Sequence, residues 1–196
     1  METSCYIHLY ENGLIHADTD YVGVCQYDMH WTNEAAQLLR TIASLPQPVR
    51  LGCGIDLGAI INSQGVFHEK AYADRRDWAF LIQSYNGFFN RSLELKQLVG
   101  MPLTLFQTYI LPRQEFLELA AWLKQLADEI FPWASQPPYE SHWGALGGYT
   151  ERAESVFFAA KILETGMHYA RLPLDHNRAT AEKLGGIKTH YREQSD

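Results

Sequence analysis

Two short runs of β-branched and aromatic residues, each followed at once by a helical pattern, constrain this chain most. The first, Asp20-Tyr21-Val22-Gly23-Val24-Cys25-Gln26-Tyr27, is bounded by Asp18-Thr19-Asp20 and by Asp28, and reads as a buried strand. Asn33 then suits the cap of a helix over 34–43, ended by Pro46 and Pro48. The second run, 103–111, is stopped by Pro112, a residue that fits the first turn of a following helix. Phe116, Leu119, Ala120, Leu123, Leu126 and Ile130 recur beyond it at helical spacing and predict one apolar stripe. Residues 72–89 read as another helix, carrying Trp78, Leu81, Ile82 and Tyr85 at three- and four-residue steps. Residues 55–62 are apolar, but Gly52, Gly54, Gly58 and Gly65 make their neighbourhood turn-rich. Residues 132–149, with three prolines, three glycines and two tryptophans, read as an exposed working loop. Thr150 then suits the cap of a helix over 151–163, and 167–172 make a last strand before a polar tail. Strands alternating with helices predict an α/β fold in which crossovers wrap a sheet.

The chain has 196 residues, enough for one domain over 1–180 with a polar C-terminal tail over 181–196. A chain of this size buries about 70% of its unfolded surface, and 46% hydrophobic residues supply the core. Sixteen Lys and Arg against 23 Asp and Glu give a net charge of −7, which argues against broad binding to a nucleic-acid backbone. No apolar run approaches a membrane span, and the opening residues lack a signal-peptide pattern. The expectation is a cytoplasmic protein with no membrane span. Cys5, Cys25 and Cys53 form neither a disulfide framework nor a CxxC pair and read as reduced, partly buried thiols. Asn90-Arg91-Ser92 fits a glycosylation acceptor by coincidence. Aromatics at 13% suit an aromatic-rich core or a platform for sugars and bases.

Three constellations could carry chemistry. Asp28-Met29-His30 falls just past the first strand, where α/β folds place ligands, and an Asp and a His two apart can face one divalent cation. The same residues also read as a turn-capping Asp beside an exposed His. Gly147-Gly148-Tyr149-Thr150-Glu151-Arg152 lets backbone approach a ligand ahead of a helix, with Glu151 in the first turn as a candidate general base. A first-turn Glu is equally a plain helix-starting residue, and Glu154 competes with Glu151 for the role. His168 and His176 flank a short segment near the C-terminus, and either could complete a metal or phosphate site; each could also be a surface histidine. No GxSxG, Walker loop, GxGxxG or Cys–His signature is present, so serine hydrolase, P-loop and Rossmann dehydrogenase readings lose ground.

Tyr6-Ile7-His8-Leu9-Tyr10-Glu11-Asn12, followed by residues 20–28, resembles the opening of capsular-polysaccharide-type glycosyltransferases of the DUF4422 kind. It is also similar to the related glycosyltransferase domain that decorates chlorella-virus capsids. Residues 106–122, with Pro112-Arg113-Gln114-Glu115-Phe116, resemble the family's strand-then-helix segment. Gly147-Gly148-Tyr149-Thr150-Glu151-Arg152 is similar to its glycine-tyrosine helix start. The resemblance covers most of 6–176. It implies a GT-A fold, an α/β sandwich of a mixed sheet flanked by helices. In that fold a DxD-like motif after a strand holds Mn²⁺ or Mg²⁺ against a nucleotide-sugar diphosphate. Asp28 and His30 stand at that motif, with His30 where many relatives carry Asp. A downstream His, here His168 or His176, would face the metal or phosphate. Such enzymes also carry a nucleotide-binding βαβ unit of about 30 residues or more before the metal strand. Twenty residues precede Tyr21, so a shortened N-terminus or a reduced nucleotide site is expected.

The functional expectation is a metal-assisted glycosyltransferase of polysaccharide biosynthesis, moving sugar from a nucleotide-sugar donor to a saccharide or glycan acceptor. Glu151 and Asp28 are its expected catalytic residues, and Asp28, His30, His168 and His176 its expected metal ligands. Tyr27, Tyr139, His142, Trp143, Gly147, Gly148, Tyr149 and Arg152 are expected to line the donor or acceptor site. The alternative is a carbohydrate-binding or scaffold module that kept the fold and lost donor-site activity. A small-molecule hydrolase would need a nucleophile that the sequence does not offer.

Overall fold

The structure, a computed structural model, describes residues 2–26, 29–43, 51–55, 75–102, 104, 107–134, 145–172 and 174–176. The described elements run α1 (Glu2–Glu11), β1 (Tyr21–Val24), β2 (Met29–Trp31), α2 (Asn33–Ala43), β3 (Leu51–Ile55), α3 (Arg75–Phe89) and α4 (Leu95–Leu98). They continue as β4 (Tyr109–Pro112), α5 (Arg113–Ala134), α6 (Ala145–Thr165), β5 (His168–Leu172) and β6 (Leu174–His176). The fold is mixed α/β, as the alternating pattern predicts.

Four strands form one sheet in the order β1-β4-β3-β5, and β2 pairs with β6 in a separate antiparallel ribbon. Within the sheet, β4 runs antiparallel to both β1 and β3, while β3 and β5 are parallel. Strands β1, β3 and β5 therefore point the same way. Their register places Val24, Tyr109, Gly54 and Arg171 on one row, so the carboxyl ends of three strands meet at one edge. The ribbon grows from that edge, because β2 follows β1 and β6 follows β5.

Period-2 alternation gives the sheet two packed faces. In β4, Tyr109 and Leu111 turn into the main core, while Ile110 joins Ala35, Leu38, Leu39, Ala170 and Leu172 beneath α2. Gly23 permits this crossing: a Cβ there would meet Ile110 Cγ1 at 3.3 Å, tighter than nearly all real contacts. The main core is built by α1, α3, α5 and α6. All six stripe residues, Phe116 through Ile130, are buried on α5, as are Trp78, Leu81, Ile82 and Tyr85 on α3. Tyr85 meets Trp122 edge-on at 5.3 Å and Phe157 at 6.5 Å, which locks α3, α5 and α6 together.

Several boundaries differ from the sequence expectation for physical reasons. Helix α2 spans the expected residues, but Thr32 is its cap: Ala35 N donates to Thr32 Oγ1 at 3.1 Å and Ala36 N to Thr32 O at 3.0 Å. The glycine-rich neighbourhood of Gly52 and Gly54 is strand β3, held by partners on both sides. Of the expected strand over 103–111, β4 takes in Tyr109 onward, and Gln107, two residues before it, adopts φ 43°, which is not a strand conformation. Pro132 lies inside α5, which continues to Ala134 rather than opening into a loop there. Cys5 and Cys25 form no disulfide and are exposed, not partly buried.

Candidate functional site

The carboxyl edge of the sheet is where three features of the sequence converge. From β1 the chain passes Cys25 and Gln26 toward the Asp28-Met29-His30 motif. Gln26 N donates to Thr108 Oγ1 at 2.9 Å, which ties this exit to the residue just before β4, and Cys25 Sγ donates to Met29 O at 3.7 Å at the start of β2. Met29 is buried and anchors the start of β2. In the ribbon, Met29 pairs with His176, His30 with Asp175 and Trp31 with Leu174. His30 and His176 are thus one rung apart on paired strands, 146 residues apart in sequence, and because strand positions alternate between faces the ladder does not put both on one face, contrary to the expectation of a shared metal site. His168 is exposed and starts β5 opposite Leu51, at the other end of that strand. Four strand steps, about 13 Å, separate it from Leu172 and the ribbon beyond, so it reaches neither His30 nor His176.

Behind the edge sits a buried polar network. Gln107 Nε2 donates to Glu154 Oε1 at 3.0 Å and to Thr3 Oγ1 at 2.6 Å. Thr3 Oγ1 donates to Thr150 Oγ1 at 2.9 Å, and Thr150 Oγ1 donates to Gly147 O at 3.0 Å. Tyr6 OH donates to Gln107 O at 3.2 Å, and Ser155 Oγ donates to Thr104 O. These bonds join α1, the segment before β4 and the first half of α6. Tyr109 is fully buried here; desolvation pushes its phenol well above the ordinary range, and the Glu154 carboxylate pushes it further.

The glycine segment is not a loop ahead of a cap. Helix α6 begins at Ala145, so Gly147 and Gly148 are in its first turn and Thr150 is interior. Each glycine costs about 1 kcal/mol in a helix, a penalty that packing of the buried face from Ala153 to Ala160 overrides. Glu151 falls in the second turn and is half-buried, beyond the reach of the helix-end charge expected to hold it ionised. Tyr149 packs edge-on against Phe80 at 6.3 Å, and the Arg152 guanidinium lies 5.8 Å over its ring. That pairing fixes Tyr149 and Arg152 against α3. Glu154, the competing acid, is buried in the network rather than turned outward.

Tyr27, Asp28, Tyr139, His142 and Trp143 lie outside the described residues, as does the tail over 181–196. Among the described residues, no group of three or more His, Cys, Asp or Glu is placed to hold a metal ion. No described helix is long and apolar enough to cross a membrane.

Sequence reasoning missed three residues at this edge. Gln107 is the hub of the buried network, and its signal is a polar residue inside an apolar run. Trp31 is 39% exposed on the ribbon, unusual for so large an indole beside a candidate ligand position. Asp175 is placed opposite His30 by the ladder, a relationship no local pattern carries. The chain matches no protein-family model, no curated protein and no solved structure.

Proposed function

We propose that this chain is a glycosyltransferase that moves a sugar from a nucleotide-sugar donor to a saccharide acceptor with the help of a divalent cation. The observation that carries the reading is the convergence of three strand carboxyl ends on one edge, from which the β2–β6 ribbon extends. Open α/β sheets bind ligands beyond the carboxyl ends of their strands. A mixed sheet with helices on both faces is also what the family resemblance implies.

Asp28 precedes β2, and the ladder pairs His30 with Asp175. Carboxylate oxygen and imidazole nitrogen suit Mn²⁺, and Mg²⁺ through the carboxylates. Asp28 and His30 would hold the ion, which when bound neutralises charge on the departing nucleoside diphosphate. Trp31 offers an exposed ring on which a base or sugar stacks. Glu151 accepts the proton of the acceptor hydroxyl as it attacks the anomeric carbon. The buried network holds the rest: Gln107 positions Glu154 and fixes the first half of α6, on which Glu151 rides.

A direct test incubates the full chain with Mn²⁺, a panel of nucleotide sugars and simple saccharide acceptors, and measures nucleoside diphosphate release together with labelled glycan product. Donor-dependent product supports the proposal. Glycan binding without donor binding or turnover supports the carbohydrate-binding module instead.

A further inference from the structure

A second site lies at the opposite end of the sheet. Helix α1 and strand β4 both run from the carboxyl edge, at Thr3 and Tyr109, to the far end, at Tyr10 and Pro112. Three strand steps or seven helical steps both give about 10 Å, so the two ends are distinct places. At the far end an open groove of about 510 Å³ is lined by Tyr10, Phe88, Arg113, Gln114, Leu117, Glu118 and Ala121. That volume is within the range of small-ligand sites.

Its chemistry is mixed in a specific way. Tyr10, 37% exposed, and Phe88 contribute aromatic rings, while Leu117 and Ala121 contribute apolar surface. The polar groups are held in place. Arg113 Nε donates to His16 O at 2.8 Å, which ties its side chain to the loop after α1. Gln114 Nε2 donates to Glu118 Oε1 at 3.1 Å, and Lys161 Nζ donates to Glu118 Oε2. Lys161 is itself fixed over the Phe157 ring at 5.3 Å and the Phe89 ring at 5.9 Å. Glu118 is therefore a clamped, charge-balanced carboxylate whose oxygens each keep a lone pair for a further donor.

We propose that this groove binds a neutral saccharide. Sugar C–H faces pack on Tyr10 and Phe88, and adjacent hydroxyls donate to Glu118 and accept from the Gln114 amide. A purely apolar ligand would cover the remaining lone pairs of the Glu118 carboxylate and the second N–H of the Gln114 amide without bonding them, whereas sugar hydroxyls, which both donate and accept, satisfy both. The groove goes beyond the transfer reaction proposed above and does not depend on it.

The experiment titrates the full chain, in metal-free buffer, with maltotriose, cellotriose, xylotriose and lactose, followed by NMR shifts of the protein. Metal-free conditions keep a cation-dependent donor site out of the readout, so failure here and failure of the transferase reading are separable. Saturable shifts centred on Tyr10 and Gln114 with at least one sugar are expected. Tyr10→Ala and Gln114→Ala should each weaken binding about five- to tenfold, while Phe131→Ala, on an exposed side chain outside the groove, should not. Tyr10 and Gln114 are both exposed, so their replacement leaves the core intact. No saturable shift with any of the four, or shifts unaffected by both groove variants, overturns the proposal.

Discussion

Gln107 Nε2 donates to Glu154 Oε1 across 3.0 Å, joining the residue two positions before β4 to a buried carboxylate on α6. A hydrogen bond to a charged group contributes about 1.5–3 kcal/mol, and removing one partner leaves the other desolvated. Gln107→Met should lower unfolding free energy by about that amount in urea titrations. Glu154→Met should also destabilise, and the double variant should lose less than the sum by at least ~0.5 kcal/mol. Strict additivity would mean the two side chains are not coupled.

The buried phenol of Tyr109 makes a prediction for alkaline pH. Burial, reinforced by Glu154, raises its folded-state pKa, so the folded chain keeps a proton that the unfolded chain releases near pH 10. Its contribution is fully present below pH 10 and declines as pH rises above that. Tyr85 acts in the same direction, raised by burial and by Glu164, to which its hydroxyl donates at 3.3 Å. Each retained proton steepens the loss by about 1.4 kcal/mol per pH unit. Tyr109→Phe should flatten the stability profile above pH 10 by about one proton. An unchanged slope would show that Tyr109 titrates normally in the folded chain.

The two acids on α6 should separate cleanly. Glu151→Gln alters a half-buried residue and keeps its size, and turnover should fall by about 10²–10⁴-fold in a variant that still folds. Glu154→Gln should instead lower stability, because Gln107 loses an anionic acceptor. Turnover unaffected by Glu151→Gln would move the base elsewhere.

Among the described residues, Trp31 is the exposed ring nearest in sequence to the cation motif. Stacking on an aromatic ring contributes about 1–3 kcal/mol per base. Trp31→Ala should weaken donor binding at least fivefold by calorimetry, and Trp31→Phe should recover most of it. Equal affinity in all three proteins would leave the indole without a binding role.

Helical periodicity made much of this fold legible: the buried stripe from Phe116 to Ile130 and the face from Trp78 to Tyr85 follow directly from spacing. The strand runs were legible in place but not in length, since φ 43° at Gln107 is imposed by its buried bonds to Thr3, Glu154 and Tyr6. Those partners come from helices more than 45 residues away. Strand β3 was hidden because Gly52 and Gly54 carry a turn signal that ladder bonds on both sides override. The α6 start was hidden for the same reason, with Gly147 and Gly148 held in a helix by packing further along. Three-residue strands carry almost no periodicity, so the pairing of His30 with Asp175 emerges only from the fold. The candidate site was therefore legible as a motif and not as a constellation.

Metal-dependent donor binding tests the central claim most directly. Thermal shift of the full chain against a nucleotide-sugar panel, with and without Mn²⁺, should show at least one donor that stabilises only when Mn²⁺ is present. Asp28→Asn, which keeps shape and removes charge, should weaken that binding about tenfold or more, equivalent to ~1.4 kcal/mol. No Mn²⁺-dependent stabilisation by any donor, or undiminished Mn²⁺-dependent affinity in a folded Asp28→Asn variant, would contradict a cation-assisted donor site at this edge.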